Sequence, residues 1–122
     1  MSGVALPASG APPFRPVNQA AIAAAYAYEV HKLERVAVVD FDVHHGNGTQ
    51  AAFFDRPEVF YASSHQSPFY PGTGARSETG VNHNIVNVPL PRGCEPAQFR
   101  AAISALVLPA LRAFAPEILI VS

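Results

Sequence analysis

A single cysteine, Cys94, occurs among the 122 residues, so the chain can form no internal disulfide and no cysteine-rich zinc site. Charged residues make up only 14% of the chain and the net charge is -1, whereas a nucleic-acid-binding surface needs a basic stripe. No apolar run reaches the ~18–20 residues of a membrane span, and the first residues lack the charged and apolar regions of a signal peptide. These absences predict a cytoplasmic protein that binds neither nucleic acid nor membrane.

Apolar residues are abundant instead, at 49% of the sequence, which is too high a share for a disordered chain. The length allows one domain with a modest core. Four prolines fall within residues 1–16, which predicts an extended, proline-rich lead-in before a domain that covers residues 17–122.

The spacing of apolar residues in this domain alternates between helix-like and strand-like segments. Helices are predicted over Val17–Leu33, Gly48–Phe54 and Pro96–Ala115, and strands over Val36–Phe41, Val59–Ser63, Ile85–Val88 and Glu117–Ser122. The β-branched runs are typical of buried strands that are covered on both faces. This order predicts an α/β fold, an open and mostly parallel sheet with flanking helices, whose sites lie beyond the carboxyl ends of the strands.

Two of the predicted helices carry an apolar face. Asn18 is the candidate N-cap of the first helix. The residues that recur at helical spacing there, and are expected to face the core, are Ile22, Tyr26, Val30 and Leu33. In the last helix Pro109 removes an amide donor and crowds the preceding turn, so a distortion is expected at that point.

The segment that carries chemistry follows the first predicted strand. Side chains alternate faces in an extended segment, so Asp40, Asp42 and His44 are predicted to point the same way. Asp42 and His44 offer a carboxylate and an imidazole, which zinc accepts, and a catalytic zinc takes three protein ligands plus water. Two carboxylates so close together also favour a bound cation. The alternative is a polar strand end with a glycine-rich turn, in which His45 is merely packed.

The segment 40–50, DFDVHHGNGTQ, closely resembles a highly specific motif of the histone deacetylase and acetylpolyamine amidohydrolase superfamily, in its bacterial and class II-like form. Three further strings match the family in order and spacing: SSH at 63–65, FYPGTG at 69–74 and NVPL at 87–90. The resemblance covers about residues 17–122. It implies an arginase/deacetylase-like fold that is incomplete here.

The resemblance implies two metal sites. Asp42 and His44 would be ligands of a catalytic Zn2+. Asp40 would pair with a catalytic histidine and also contribute to a structural K+ site. The hydroxyl of Ser63 and the main-chain carbonyls of Asp42, His44 and Ser64 would complete that potassium site.

The reaction implied by the resemblance is hydrolysis of the amide of an acetylated lysine or polyamine. The metal polarises the acyl carbonyl and activates water, a histidine transfers protons, and a tyrosine hydroxyl stabilises the oxyanion. Tyr70 would line the narrow tunnel for the aliphatic arm, and Asn47 would orient the second histidine of the family's pair.

Other parts of the family pattern are missing from these residues. No histidine precedes His31, whereas the family carries its catalytic histidine pair before the first helix. The third zinc ligand and the oxyanion tyrosine would fall beyond Ser122. A two-ligand zinc site binds weakly and its water would have no general base. We therefore expect the chain alone to be an inactive fragment, with exposed strand edges that favour self-association.

Two alternatives to a deacetylase stay open. The first is a non-catalytic remnant that binds a metal or a partner, and the second is an arginase-like hydrolase with two manganese ions. Among single residues, His65 is expected to be a hydrogen-bonded loop histidine rather than the third zinc ligand. Cys94 is expected to be a loop residue rather than a nucleophile, and His83 a solvated turn residue.

Overall fold

The computed structural model describes residues 18–42, 45–67 and 72–122. Three of the sequence predictions, namely the zinc ligand His44, the tunnel residue Tyr70 and the lead-in 1–16, lie outside the described residues.

A four-stranded parallel sheet forms the centre of the described structure. Its strands are β1 (Val36–Asp40), β2 (Val59–Gln66), β3 (Ile85–Leu90) and β4 (Ile118–Val121). They are arranged in the order β3-β2-β1-β4, and every neighbouring pair is parallel. All five residues of β1 are buried, as expected for a β-branched strand with helices on both faces. The predicted open parallel α/β sheet is confirmed.

Helices cover both faces of the sheet. On one face α1 (Gln19–Glu29) and α2 (Asn47–Phe53) pack against β1, β2 and β3. The other face is covered by a continuous helical segment made of α3 (Pro96–Ala102), a π turn (Ile103–Val107) and α4 (Leu108–Phe114). The apolar core is therefore divided into two layers by the sheet.

The buried face of α1 differs from the predicted one. Tyr26 and Val30 are 48% and 53% exposed, whereas the buried residues of the helix are alanines: Ala21, Ala24, Ala25 and Ala27. Small side chains let the helix backbone lie close to the sheet, so the larger residues at helical spacing are displaced to the outside. The N-cap prediction is confirmed, because the side chain of Asn18 accepts a hydrogen bond of 3.0 Å from the Ala21 amide.

The distortion predicted at Pro109 takes the form of the π turn that precedes it. The Leu108 N–H bonds the carbonyl of Ile103, five residues earlier, which widens the helix just before the proline ring must be accommodated. The whole segment Pro96–Phe114 has 19 residues and a mean hydropathy of 1.2, so by length and composition alone it could cross a membrane. Within the described residues Val107 is fully buried on the sheet and several other apolar side chains of the segment are partly buried there, whereas most of the segment is exposed.

Strand β4 was predicted to be buried, and this is wrong for the described structure. Ile118, Leu119 and Val121 are 41%, 46% and 62% exposed. Among the strands of the described residues, β4 lies at the edge of the sheet and pairs with β1 alone. An apolar run is buried only where other elements cover both of its faces, and the described residues leave much of β4 uncovered.

Candidate functional site

The carboxyl ends of β1 and β2 bring several of the predicted site residues together. Asp40 is the last residue of β1 and lies in register with Ser63 of β2. Ser64 follows on β2, and its side chain points to the opposite face of the sheet because strand side chains alternate. Its buried hydroxyl finds no hydrogen-bond partner within the described part of the chain. The sheet therefore places Asp40 beside Ser63, and both residues belong to the predicted potassium site.

Asp40 is buried, and both oxygens of its carboxylate accept hydrogen bonds. Oδ1 accepts from the backbone N–H of Asp42 at 2.9 Å, and Oδ2 accepts from the hydroxyl of Tyr61 at 3.2 Å. Burial, and then the charge of Asp40, raise the pKa of Tyr61, so its hydroxyl remains a donor. Asp40 thus joins the middle of the sheet to the first residues of the loop that leads to His44.

The turn at Gly46 is tightly packed against Tyr61 and Asp40. A Cβ added at Gly46 would overlap the hydroxyl of Tyr61 and lie 2.9 Å from Oδ2 of Asp40. Gly46 is the N-cap of α2, with a φ of -81° that other residues also adopt. Glycine is therefore required here for space rather than for backbone conformation.

Asp42 and Asn47 lie on either side of the undescribed residues 43–44. Asp42 is partly exposed, and β1 ends two residues before it, so strand alternation does not by itself set the direction of its side chain. Asn47 is exposed as the first residue of α2.

Two histidines, His45 and His65, are buried beside the site and have both ring nitrogens engaged. His65 Nε2 donates to the carbonyl of Gly74 at 2.8 Å, so its Nδ1 accepts from the hydroxyl of Ser63 at 2.9 Å. His45 bonds Oε1 of Gln50 through Nε2 at 2.9 Å and the hydroxyl of Thr73 through Nδ1 at 2.7 Å.

These bonds leave neither histidine with a nitrogen for a metal. His65 is hydrogen-bonded, as expected, although it lies within β2 rather than after it. Burial, and then the neighbouring His65 ring at 4.8 Å, lower the pKa of His45, which favours its neutral form.

Three residues of the site were missed by sequence reasoning: Gln50, Glu78 and Asn87. Oε1 of Gln50 accepts from His45 and from Nδ2 of Asn87 at 2.7 Å, and its Nε2 donates to Oε1 of Glu78 at 2.7 Å. The signal that could have identified Gln50 is that it is a polar residue on the side of α2 that faces the sheet. Because α2 has only seven residues, its periodicity is too short to identify that position.

The donors fit a divalent metal only in part. Among the described residues no three His, Cys, Asp or Glu side chains form a metal-binding group. His45 and His65, the two histidines described near this loop, use both ring nitrogens in hydrogen bonds. The histidine nearest in sequence to Asp42 is His44. A carboxylate and an imidazole suit Zn2+, which takes at least one further protein ligand in a catalytic site.

Comparison with known proteins gives one consistent result. The chain is 48% identical over 106 residues to an uncharacterized protein of Synechocystis sp., and 44% identical over 105 residues to the chloroplastic histone deacetylase 10 of Oryza sativa subsp. japonica. It covers 35% and 24% of their lengths, respectively.

A similar solved structure is the acetylpolyamine aminohydrolase from Burkholderia pseudomallei, with 40% sequence identity and a TM-score of 0.80. That match covers 88% of this chain and 32% of the other, so the chain spans about a third or less of the proteins it resembles. The profile of the histone deacetylase domain matches residues 8–122, which is nearly the whole chain. The chain therefore belongs to the histone deacetylase family, of whose domain it represents a part.

Proposed function

We propose that this chain is the part of a zinc-dependent amide hydrolase that supplies two of its metal ligands, and that the complete enzyme removes acyl groups from amines. The observation that carries the proposal is the double role of Asp40. It closes the end of β1 with a hydrogen bond to the Asp42 amide and is itself held by Tyr61 of β2. Such an anchored loop, at the carboxyl edge of a parallel sheet, is where α/β enzymes hold their catalytic groups.

Asp42 and His44 would hold the zinc. When bound, the metal would polarise the acyl carbonyl and lower the pKa of a water molecule. Asp40 would hold a histidine supplied by the rest of the enzyme in the orientation for proton transfer. With Ser63 and with the carbonyls of Asp42, His44 and Ser64, it would also surround a potassium ion.

The substrate would be an acetylated lysine or an acetylated polyamine. The names of the relatives, a histone deacetylase and an acetylpolyamine aminohydrolase, support this class of amides. Tyr70 would line the tunnel for the aliphatic arm, where an aromatic wall removes water from an apolar stem. Asn47 would orient a second histidine from outside the chain.

We expect the chain by itself to be inactive, because no three His, Cys, Asp or Glu side chains form a metal-binding group within the described residues, and His45 and His65 are both hydrogen-bonded there. With Asp42 and His44 alone, zinc would be held by two side chains, which is fewer than the three protein ligands of a catalytic zinc site. The alternative, a metal- or partner-binding remnant, predicts the same inactivity of the isolated chain. The two must be separated in a complete domain.

A chimera provides that test. The chain replaces the matching segment of the Burkholderia aminohydrolase, and hydrolysis of acetyl-lysine and acetylpolyamine substrates is measured beside the parent enzyme. We expect activity in the chimera and its loss by about 100-fold or more in Asp42→Asn and His44→Ala. Asp55→Asn, at an exposed residue, is the matched control.

The outcomes separate the candidates. A folded chimera that binds zinc but hydrolyses neither substrate would support the non-catalytic remnant. Full activity in Asp42→Asn or His44→Ala would contradict the assigned zinc ligands. Two tightly bound manganese ions per chimera, measured by elemental analysis, would favour the arginase-like alternative.

A further inference from the structure

Gln50 lies where four segments of the chain meet. Its own helix α2 contacts the sheet there, and the side chain bonds His45 of the preceding turn, Asn87 of β3 and Glu78 of the loop 72–80. The Glu78 carboxylate can only accept hydrogen bonds, which fixes the orientation of the Gln50 amide. With its Nε2 towards Glu78, the Oε1 atom faces two donors. Gln50 is buried, so its bonds to His45 and Asn87 are shielded from water, whereas the bond to Glu78 is partly buried.

The segment 72–75 is held against the two buried histidines by this residue and its partners. Glu78 accepts the backbone N–H groups of Gly74 and Ala75, both at 3.1 Å. The Gly74 carbonyl accepts from His65 at 2.8 Å. A Cβ at Gly74 would lie 2.5 Å from atoms of both the His45 and His65 rings, and its φ is +89°. Only glycine fits between the rings in this conformation.

We propose that Gln50 is a positioning residue that locks segment 72–75 onto the turn at His45, and so sets the distance between that segment and the turn. In sequence, the turn follows His44 and the segment follows Tyr70. The locking itself follows from the described contacts. Its consequence for catalysis rests on the proposed function, in which His44 binds the metal and Tyr70 lines the tunnel.

A glutamine is required by the pattern of donors and acceptors. Methionine has a similar length and can pack in the same space, but it makes none of the three bonds. Glutamate keeps an oxygen for His45 and Asn87, yet it places a second carboxylate 2.7 Å from an oxygen of Glu78, where the wild-type amide donates. Repulsion between the two charges would then push the loop away at neutral pH.

Amide hydrogen exchange of the 122-residue chain tests the locking without any metal. In Gln50→Met we expect the protection factors of the Gly74 and Ala75 amides to fall by about tenfold or more, while those of β1 and β2 change little. The imidazole nitrogen resonances of His45 should shift in the same variant. Gln19→Met, the same substitution at the exposed start of α1, should change neither measurement.

Gln50→Glu supplies a second, reversible perturbation. The loop amides should lose protection at neutral pH and regain part of it as the pH falls and the carboxyl pair takes up a proton, since a protonated carboxyl can donate to its neighbour. A purely structural defect would not be reversed by acid, and Gln50→Met should show no such recovery. This variant also decides the question if Gln50→Met does not fold.

The catalytic consequence is measured in the chimera described above. We expect Gln50→Met to lower kcat/KM by about 10- to 100-fold with zinc still bound, as for outer-shell residues of metal sites. Inactivity of the chimera without the Gln50 substitution would count against the proposed function. The role of Gln50 in holding segment 72–75 would then be decided by the hydrogen-exchange measurement alone. Unchanged protection of Gly74 and Ala75, or an equal loss at every amide, would overturn the role of Gln50.

Discussion

Replacement of Gly46 by alanine tests the packing that supports the metal loop. The φ of -81° suits alanine, so the backbone is not strained by the substitution. The added methyl group would instead overlap the Tyr61 hydroxyl and approach Asp40 Oδ2 at 2.9 Å and Tyr61 Cζ at 3.2 Å. Tyr61 is fully buried and cannot move aside freely. The methyl group must therefore displace the hydrogen bond between Tyr61 and Asp40.

The cost has two parts. Overpacking of one methyl group in a close-packed region costs about 1–3 kcal/mol. Loss of the bond between a buried hydroxyl and a carboxylate adds about 1–3 kcal/mol. We expect Gly46→Ala to lower the free energy of unfolding by about 2–6 kcal/mol, a large fraction of the stability of a domain of this size.

Gly48→Ala is the matched control two residues away. A Cβ there meets only Nδ2 of Asn18, at 3.7 Å, which is an ordinary contact. Gly48 lies in α2, where alanine is the better helix former, so this variant should be unchanged or more stable by up to about 1 kcal/mol. The same substitution therefore has opposite expected effects at the two glycines.

Urea denaturation of the four proteins wild type, Gly46→Ala, Tyr61→Phe and the double variant gives the coupling between the two sites. Removal of the Tyr61 hydroxyl relieves the main overlap, so the double variant should be more stable than the sum of the single changes by about 1 kcal/mol or more. Strictly additive effects, or a stability of Gly46→Ala within about 0.5 kcal/mol of wild type, would refute the packing argument.

Three further changes test other parts of the structure. The two hydrogens of Asn84 Nδ2 are shared among three backbone carbonyls at 2.8–2.9 Å. Asn84→Asp should therefore cost about 3 kcal/mol or more in urea denaturation, while Asn82→Asp in the exposed turn should be nearly neutral. The hydrogen bond from Gln50 lowers the pKa of Glu78, so its stabilising effect is present above the unfolded pKa and lost as the pH falls through the folded one. The stability difference between wild type and Glu78→Gln should therefore shrink in acid, and a difference that grows there would contradict this sign. Leu119→Lys on the exposed edge strand should reduce self-association in sedimentation velocity, whereas equal association of both proteins would exclude that edge as the contact.

Local sequence patterns were sufficient for the order of the strands and for the parallel α/β sheet. The run of valines before Asp40 predicts a buried strand, because β-branched residues covered on both faces need a parallel sheet. The carboxylates and histidines that follow it predict a site at the carboxyl end of that strand. Helix α1 shows the limit of the same reasoning, since its larger apolar residues are exposed and its alanines face the core.

The network around Gln50 could be recognised only in three dimensions. Its bonds join residues 28 and 37 positions apart, Gln50 with Glu78 and Gln50 with Asn87. These residues are brought together by the pairing of β2 with β3 and by the packing of α2 on the sheet. Neither contact produces a periodic pattern in the sequence. Short-range spacing reports the geometry of one element, whereas the partner of a buried polar group depends on which elements the whole fold brings side by side. For this reason the sequence alone was enough to name candidate ligands, whereas the tertiary structure was needed to show that His45 and His65 already use both ring nitrogens in hydrogen bonds.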